Sequence, residues 1–160
     1  MIYHSPIRIL TQNDPALLQV LKLIQESFAF MTGRIDPPSS VHHLTLQDLT
    51  EKAQTDWILG MGDPIKACVV ASPRHHALYL GKMAVDQSLR GQGMARALVK
   101  ACEGIAVDLR LDRLELQVRI ELLENQNAFA NMGFVKTAEN YHPGYDWVTE
   151  ITMQKKIRNK

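Results

Sequence analysis

The chain has 160 residues, of which 46% are hydrophobic and 22% are charged, and its formal net charge is +1 at pH 7. This length favours one globular domain over residues 1–160, and the composition excludes a disordered polymer. A near-neutral charge gives no field that would draw the chain to nucleic acid or to an anionic membrane, so neither is expected as a partner.

The hydrophobic pattern predicts a mixture of short strands and helices along the chain. Helical spacing of apolar residues places the helices, and alternation bounded by turn residues places the strands. From the N-terminus, we expect strand Ile7–Leu10, helix Asp14–Gly33, loop 34–40, helix Leu44–Gln54, strands Asp56–Met61, Ile65–Ser72 and Leu78–Val85, helix Gly93–Leu109, strand Leu114–Val118, helix Glu124–Met132, strands Phe134–Ala138 and Trp147–Met153, and a basic tail.

Three of the predicted helices carry a repeating apolar face that should be buried. The first is expected to begin with Asp14 as its N-cap and Pro15 as its first residue. The expected inward residues are Leu17, Leu21, Ile24, Phe28 and Met31 in the first helix, Leu46, Leu49 and Ala53 in the second, and Ala95, Val99, Cys102, Ala106 and Leu109 in the third.

The segment Ser88–Arg96 joins a predicted strand to a predicted helix and contains Gly91 and Gly93. Glycines at such a junction let backbone N–H groups turn towards an anion at the helix N-terminus, where the helix dipole also favours negative charge. The spacing excludes a Walker loop, which needs Gly-Lys-Ser/Thr, and a dinucleotide fingerprint, which needs glycine in place of Arg96. By itself the segment fits a pyrophosphate site and an ordinary glycine-rich helix cap equally well.

Arg90-Gly91-x-Gly93-x-Ala95 resembles the R-G-x-G-x-[GA] loop of the GNAT superfamily of acyl-CoA-dependent N-acyltransferases. The segment Arg119–Phe134 resembles the fifth strand, acceptor-side loop and short helix of that family, and the element order agrees over Ile7–Lys155. The resemblance implies an α/β (α+β) fold with a mixed, mostly antiparallel sheet of six to seven strands. About four helices should flank the sheet, which should splay between strands 4 and 5.

The resemblance also implies where acetyl-CoA, the expected cosubstrate, would bind. The pantetheine arm would lie in the splayed gap, where backbone groups of Met83 and Val85 would pair with its amides. The expected cofactor-binding residues are Met83, Ala84, Val85, Arg90, Gly91, Gln92, Gly93, Met94, Ala95, Arg96, Asn125 and Phe129. Asn125 has the equally good alternative of capping the short helix or hydrogen bonding within its second turn.

The resemblance leaves the catalytic groups open, because Phe129 stands where many family members have a proton-donating tyrosine. Either the CoA thiolate leaves without protein help, or Tyr141, His142 or Tyr145 supplies the proton from the final hairpin. Glu121 and Glu124 are candidate bases acting through water, and solvated carboxylates are the alternative for each. His142 is alternatively a base, a substrate contact or a turn residue.

The expected reaction is direct transfer of an acetyl group to a primary amine in a ternary complex. The first helix and residues 34–40 should line the acceptor side, and the acceptor itself, a small molecule or a peptide, is not specified by the sequence. A non-catalytic acyl-CoA-binding domain is the main alternative, and an unrelated nucleotide-binding module a weaker one. A homodimer is expected, as in many relatives.

No metal site is expected. Cys68 and Cys102 lie in apolar stretches without metal-ligand spacing and are expected to be buried thiols of a reducing compartment. The pairs His42-His43 and His75-His76 have no Cys or acidic residue at ligand spacing. Residues Met1–Pro6 do not form a secretion signal, and no uncharged run is long enough to span a membrane. We therefore expect a cytoplasmic protein.

Overall fold

The computed structural model describes residues 5–157, in which the predicted elements occur in the predicted order. Residues 1–4, for which no secretion signal is expected, and residues 158–160, the end of the predicted basic tail, lie outside the described residues. The strands are β1 (Ile7–Leu10), β2 (Trp57–Met61), β3 (Ala67–Pro73), β4 (Leu78–Val85), β5 (Arg113–Arg119), β6 (Val135–Asn140) and β7 (Glu150–Lys156). The helices are α1 (Leu17–Ala29), α2 (Leu46–Thr55), α3 (Met94–Asp108) and α4 (Leu123–Asn131), with short 3₁₀ helices at Ser40–His43 and Gln87–Leu89.

The strands form a seven-stranded sheet in the order β1-β2-β3-β4-β5-β7-β6. Neighbouring strands are antiparallel except for β4 and β5, which are parallel. The β4–β5 pairing covers only Leu78 with Leu114 and Tyr79 with Glu115, after which the two strands diverge. The predicted mixed sheet, splayed between strands 4 and 5, is therefore confirmed.

Helices cover both faces of this sheet. On one face α1 and α2 bury Leu17, Ile24 and Leu49 against a cluster that includes Ile58 of β2 and Cys68 of β3. On the other face α3 buries Leu98 and Cys102 in a second cluster with Leu114, Leu116, Phe134 and Met153. The helices on the two faces pack against the sheet. The diverging ends of β4 and β5 border a cavity.

Several predicted helix positions are wrong. Leu46 is 41% exposed and Leu109 is 37% exposed. Leu46 is the first residue of α2, after the Thr45 capping box, and Leu109 follows the last residue of α3, so both lie at helix ends beyond the packed stretch. The buried face of α3 is shifted, because Met94 and Leu98 are fully buried and Ala95 is only half-buried.

The first helix is shorter than predicted. It begins at Leu17, and Asp14 accepts a hydrogen bond from the Ala16 N–H (2.8 Å) in the turn before it, so Asp14 is not the N-cap. It ends at Ala29 rather than Gly33. Its buried face includes Val20 and Leu23, while the predicted Leu21 and Phe28 are only partly buried.

The last two strands also begin later than predicted. Phe134 precedes β6 and is buried, and Trp147 lies before β7 with 55% of its surface exposed. Residues 141–149 therefore form a loop between β6 and β7, which we call the β6–β7 loop. The Thr149 carbonyl accepts a hydrogen bond from the Ile120 N–H, so the end of this loop lies beside the end of β5.

Candidate active site

A cavity of about 700 Å³ opens where β4 and β5 diverge. Both strands border it, together with the segment before α3, the first turn of α3, one side of α4 and the β6–β7 loop. The end of α1 and part of the segment 35–41 also line it, as the prediction that the first helix and residues 34–40 line the acceptor side requires. The predicted cofactor-binding residues that line it are Met83, Ala84, Val85, Arg90, Gly91, Gly93, Met94, Ala95, Arg96, Asn125 and Phe129, and Gln92 is the predicted residue that does not. The sequence pattern thus identified residues that share one cavity.

A β-bulge shapes the β4 side of the cavity. Cys68 pairs with Ala84 and Val70 with Gly81, so two residues of β4, Lys82 and Met83, lie opposite one residue of β3. Lys82 has a left-handed backbone with φ of +52°. Because β5 has already diverged, the backbone N–H and C=O groups on the β5 side of this bulged segment are available to an extended ligand.

The segment before α3 forms a short loop with two glycines in left-handed conformations. Gly91 has φ of +79°, and Gly93, the N-cap of α3, has φ of +84°. Side chains rarely tolerate this region, so glycine is required by the backbone at both positions. A Cβ built on Gly91 would meet no atom within 4 Å, so the loop faces open space.

The electrostatics of this loop favour an anion. Gly93 provides no side-chain cap, so the first N–H groups of α3 are not capped by a side chain. The exposed Arg90 and Arg96 add positive charge. Before the loop, Asp86 accepts hydrogen bonds from the Ser88 N–H (2.9 Å) and hydroxyl (2.6 Å), and these bonds lower the pKa of Asp86. The loop is therefore held in place and presents positive charge to the cavity.

The α4 side of the cavity is built from Asn125 and Phe129. Leu122, not Asn125, is the N-cap of α4, so the alternative role of Asn125 as N-cap is wrong. Gln126, a residue that the sequence analysis missed, donates to the carbonyls of Arg119 (3.2 Å) and Ile120 (3.1 Å) and so ties α4 to the end of β5. Phe129 is half-buried and packs edge to face on Phe134, with ring centroids 5.7 Å apart.

The loop 34–38, of which Ile35 lines the cavity, is fastened by the predicted catalytic carboxylates. Arg34 forms an ion pair with Glu124 at 2.6 Å, and the Asp36 N–H donates to Glu121 Oε2 at 3.0 Å. The Tyr145 hydroxyl donates to Asp36 Oδ1 at 2.6 Å. Glu121, Glu124 and Tyr145 are thus partners of this loop, and none of them lines the cavity.

Ionisation of these groups follows from the same contacts. The pKa of Glu124 is lowered mainly by a hydrogen bond from the Glu124 backbone and, to a smaller extent, by one from Arg34. The hydrogen bond to the Asp36 carboxylate raises the pKa of Tyr145. Tyr141 is 57% exposed and does not line the cavity. The catalytic roles predicted for these four residues remain predictions, but their positions favour a structural part in closing the acceptor side.

His142 is the predicted catalytic residue that lines the cavity. The hydroxyl of the fully buried Thr149 accepts the His142 backbone N–H at 2.9 Å and contacts His142 Nδ1. The same hydroxyl donates to the Asn140 carbonyl at 3.3 Å. Because a hydroxyl has one proton, this arrangement makes Nδ1 the donor to Thr149 and leaves the lone pair on Nε2.

Further polar residues that line the cavity were missed by the sequence analysis: Tyr79, Lys82, Gln117, Arg119 and Glu150. The alternation of β5 could have indicated Gln117 and Arg119, because the buried Leu114, Leu116 and Val118 place them on the opposite face. Burial lowers the pKa of Lys82. No signal in the sequence distinguished Tyr79 or Glu150 from other strand residues.

The environment of the cysteines excludes them as ready nucleophiles. Burial raises the pKa of the Cys68 and Cys102 thiols to about 12. A thiol with such a pKa has almost no thiolate at neutral pH.

Outside this cavity the structure offers little that resembles a reaction centre. A second cavity of about 720 Å³ lies near β1, is lined by residues that include Arg8, Asp14 and Asp63, and shares no lining residue with the first cavity. Within residues 5–157, no three His, Cys, Asp or Glu side chains converge as metal ligands would. No helix of this part of the chain is long and apolar enough to cross a bilayer.

Replacing Tyr145 with Phe tests how the acceptor-side loop is fastened. The variant should have a lower free energy of unfolding than the wild type, because the Asp36 carboxylate loses its phenolic donor. Urea denaturation measures this change. Tyr141→Phe is the matched control and should change the free energy little, since Tyr141 is exposed. Equal stability of both variants would contradict the proposed tie between Tyr145 and Asp36.

Solved structures share this fold at low sequence identity. PaiA N-acetyltransferase of Thermoplasma acidophilum, in complex with coenzyme A, is 14% identical, with 96% of this chain and 99% of that chain covered and a TM-score of 0.78. Ribosomal-protein-S5-alanine acetyltransferase of Vibrio fischeri is 17% identical over 98% and 95% of the two chains, with a TM-score of 0.72. Ribosomal-protein-S18-alanine N-acetyltransferase of Escherichia coli is 20% identical over 98% and 96%, with a TM-score of 0.68.

These likenesses establish the fold alone, and no curated protein matches the sequence. The family is established by a match of residues 18–134 to the family model described as the acetyltransferase (GNAT) family. That match includes the diverging strands, the glycine loop and α4. The chain therefore belongs to the GNAT acetyltransferase family.

Proposed function

We propose that this chain transfers an acetyl group from acetyl-CoA to a primary amine by direct attack, without an acyl-enzyme intermediate. The observation that carries the proposal is the gap between β4 and β5, which opens onto the N-terminus of α3 through Gly91 and Gly93. A gap with an extended strand edge along one side and an anion site at its mouth suits a linear ligand with a pyrophosphate group.

The loop before α3 would hold the pyrophosphate. The first N–H groups of α3 and the dipole of a 15-residue helix favour negative charge, and Gly91 and Gly93 let the backbone approach it closely. Arg90 and Arg96 would add charge-assisted hydrogen bonds. Of the solved structures similar to this chain, the Thermoplasma acidophilum enzyme is in complex with coenzyme A, which supports an acyl-CoA as the ligand here.

The bulged edge of β4 would hold the pantetheine arm. The N–H and C=O groups between Gly81 and Val85 can pair with the two amides of the arm as a further strand would. An N–H of the same segment can donate to the thioester oxygen and stabilise the negative charge that develops there during attack. The side chains of Met83 and Val85 pack towards the core cluster, so their backbone carries this role.

His142 is the candidate base for the acceptor amine. Its ring lines the cavity, and its Nδ1 contact with Thr149 orients the ring and leaves Nε2 as the acceptor of a proton. Imidazole is the commonest general base in enzymes. Glu150 lines the same cavity and provides a carboxylate that can attract a cationic amine before the amine loses its proton.

The direct route is favoured because neither cysteine is a suitable nucleophile for an acyl-enzyme. Neither Cys68 nor Cys102 lines the cavity, and both thiols are buried and protonated. The amine nitrogen would therefore form its bond to the acyl carbon directly, the C–S bond would break, and the CoA thiolate would leave. His142 would take the proton from the amine.

Phe129→Tyr tests where the thioester sulfur lies. Phe129 borders the cavity, and a hydroxyl added to its ring should reach the leaving thiolate. A well-aligned general acid contributes about 10²–10⁴-fold, and a grafted one should give much less, so we expect a modest gain in kcat. Steady-state kinetics measures the gain. A large loss of stability without any gain would show that this ring serves packing on Phe134 rather than the site.

Release of CoA thiol from acetyl-CoA, measured against a panel of amines, tests the proposed function. The panel includes polyamines, amino acids, aminoglycosides, lysine derivatives and peptides with free N-termini. We expect thiol release that depends on one class of amine and equals the acetylated amine found by mass spectrometry. Tight binding of acetyl-CoA without turnover on any amine would instead favour a non-catalytic acyl-CoA-binding domain.

A further inference from the structure

A solvent-exposed side-chain bridge crosses the closed end of the gap between β4 and β5. Tyr79 of β4 and Glu115 of β5 are the last paired residues of the two strands. The Tyr79 hydroxyl donates to Oε1 of Gln117, two residues further along β5, at 3.2 Å. This bond joins the two strands at the point where their backbones separate. Tyr79, Gly81 and Gln117 all line the cavity, so the bridge forms part of its wall.

The ring of Tyr79 is fixed in this position from two sides. The Arg74 guanidinium lies 3.7 Å from the ring centroid and forms an ion pair with Glu115 at 3.8 Å. On the other side the ring packs over Gly81, where an added Cβ would lie only 3.2 Å from Tyr79 Cε1. The ring therefore leans along β4 towards the open end of the gap and occupies the space that a side chain at position 81 would take.

The bridge uses the neutral form of the phenol. Burial raises the pKa of Tyr79, although the nearby Arg74 opposes that shift. A phenol keeps its proton at neutral pH even at its ordinary pKa of about 10, so the hydroxyl can donate to Gln117.

The position of this bridge has a consequence for the acyl group, given the proposed function. With the pyrophosphate at α3, the arm would run from Val85 towards Gly81, a distance of about 13 Å for four residues of extended strand. The thioester would then lie near the bulge, and the acyl chain would point at the Tyr79 ring. We propose that the Tyr79 ring, positioned by Arg74, Gln117 and the absence of a side chain at Gly81, limits the acyl group to a short chain, so that Tyr79 determines acyl specificity.

Calorimetry tests this proposal. It measures the affinity of the wild type and of Tyr79→Ala for CoA, acetyl-CoA, butanoyl-CoA and hexanoyl-CoA. In the wild type, hexanoyl-CoA should bind about tenfold or more weakly than acetyl-CoA, because a longer chain must displace a fixed ring. In Tyr79→Ala the order should reverse, with affinity rising by about fourfold for each further methylene that is buried. Free CoA should bind both proteins equally.

Two further variants keep the test decisive. Tyr79→Phe retains the ring and loses only the bridge, so its preference should stay closer to the wild type than that of Tyr79→Ala. Tyr79→Leu keeps an apolar side chain too short to reach Gln117, and it replaces Tyr79→Ala if the latter does not fold. An unchanged ratio of hexanoyl-CoA to acetyl-CoA affinity in a folded Ala or Leu variant overturns the proposal. Failure of the wild type to bind CoA at all would instead refute the proposed function.

Discussion

Replacing Gly91 with Val is expected to weaken CoA binding by at least about a hundredfold, since several charge-assisted hydrogen bonds of about 1.5–3 kcal/mol each would be lost together. Gly91 has φ of +79°, and its missing side chain faces open space in the loop before α3. A branched side chain would occupy the place where the backbone meets the pyrophosphate and would also strain the backbone. Isothermal titration calorimetry with CoA measures the loss.

Gly33→Val separates the loss of the pyrophosphate contact from the effect of backbone strain. Gly33 has φ of +87° and likewise meets no atom within 4 Å when a Cβ is added, but it lies after α1 and outside the cavity. Both variants should lose a similar amount of thermal stability from backbone strain. Only Gly91→Val should lose CoA binding. If the two folded variants bind CoA equally well, the glycine loop does not form the pyrophosphate site.

Replacing His142 with Gln is expected to lower kcat by about 10²–10⁴-fold, the usual contribution of general acid–base catalysis. Gln retains polar atoms near Thr149 but cannot take a proton from the acceptor amine. The affinity for acetyl-CoA should stay nearly the same, because the loop before α3 and the edge of β4 do not change. Steady-state kinetics on the amine identified by thiol release measures kcat, and calorimetry measures the affinity.

His76→Gln is the matched control for this variant. His76 lies in the turn before β4 and does not line the cavity. It should leave kcat unchanged. A kcat of His142→Gln within about threefold of the wild type would exclude His142 as the base and would leave Glu150, which lines the same cavity, as the next candidate.

The extent to which the sequence predicted this molecule depends on the kind of signal. Turn residues such as Gly62-Asp63-Pro64 and the alternation of β5 are local, so the order of strands and helices along the chain could be predicted well. Helix faces were predicted less well. In α3, Met94 and Leu98 are buried in place of Ala95 and Leu109 because the contact with the sheet, which spacing alone does not specify, sets the rotation of the helix.

The catalytic side of the site was harder to predict because it depends on long-range contacts. Glu121 and Glu124 follow β5 closely in sequence, yet their partners Asp36 and Arg34 lie more than eighty residues earlier in the chain. Tyr79 likewise acquires its position only when Gln117 meets it across the diverging strands. Such contacts follow from tertiary packing, which local sequence patterns do not contain.

Hydrogen–deuterium exchange with and without CoA tests most directly the central claim that the gap between β4 and β5 is the acyl-CoA site. Bound CoA should slow exchange of the amides in residues 83–85 and 90–96, since these N–H groups would then be covered by the arm and the pyrophosphate. Residues around Asp14 and Asp63, which line the cavity near β1, should exchange as before. If bound CoA slows exchange near β1 and leaves exchange in residues 83–85 and 90–96 unchanged, the gap between β4 and β5 is not the acyl-CoA site.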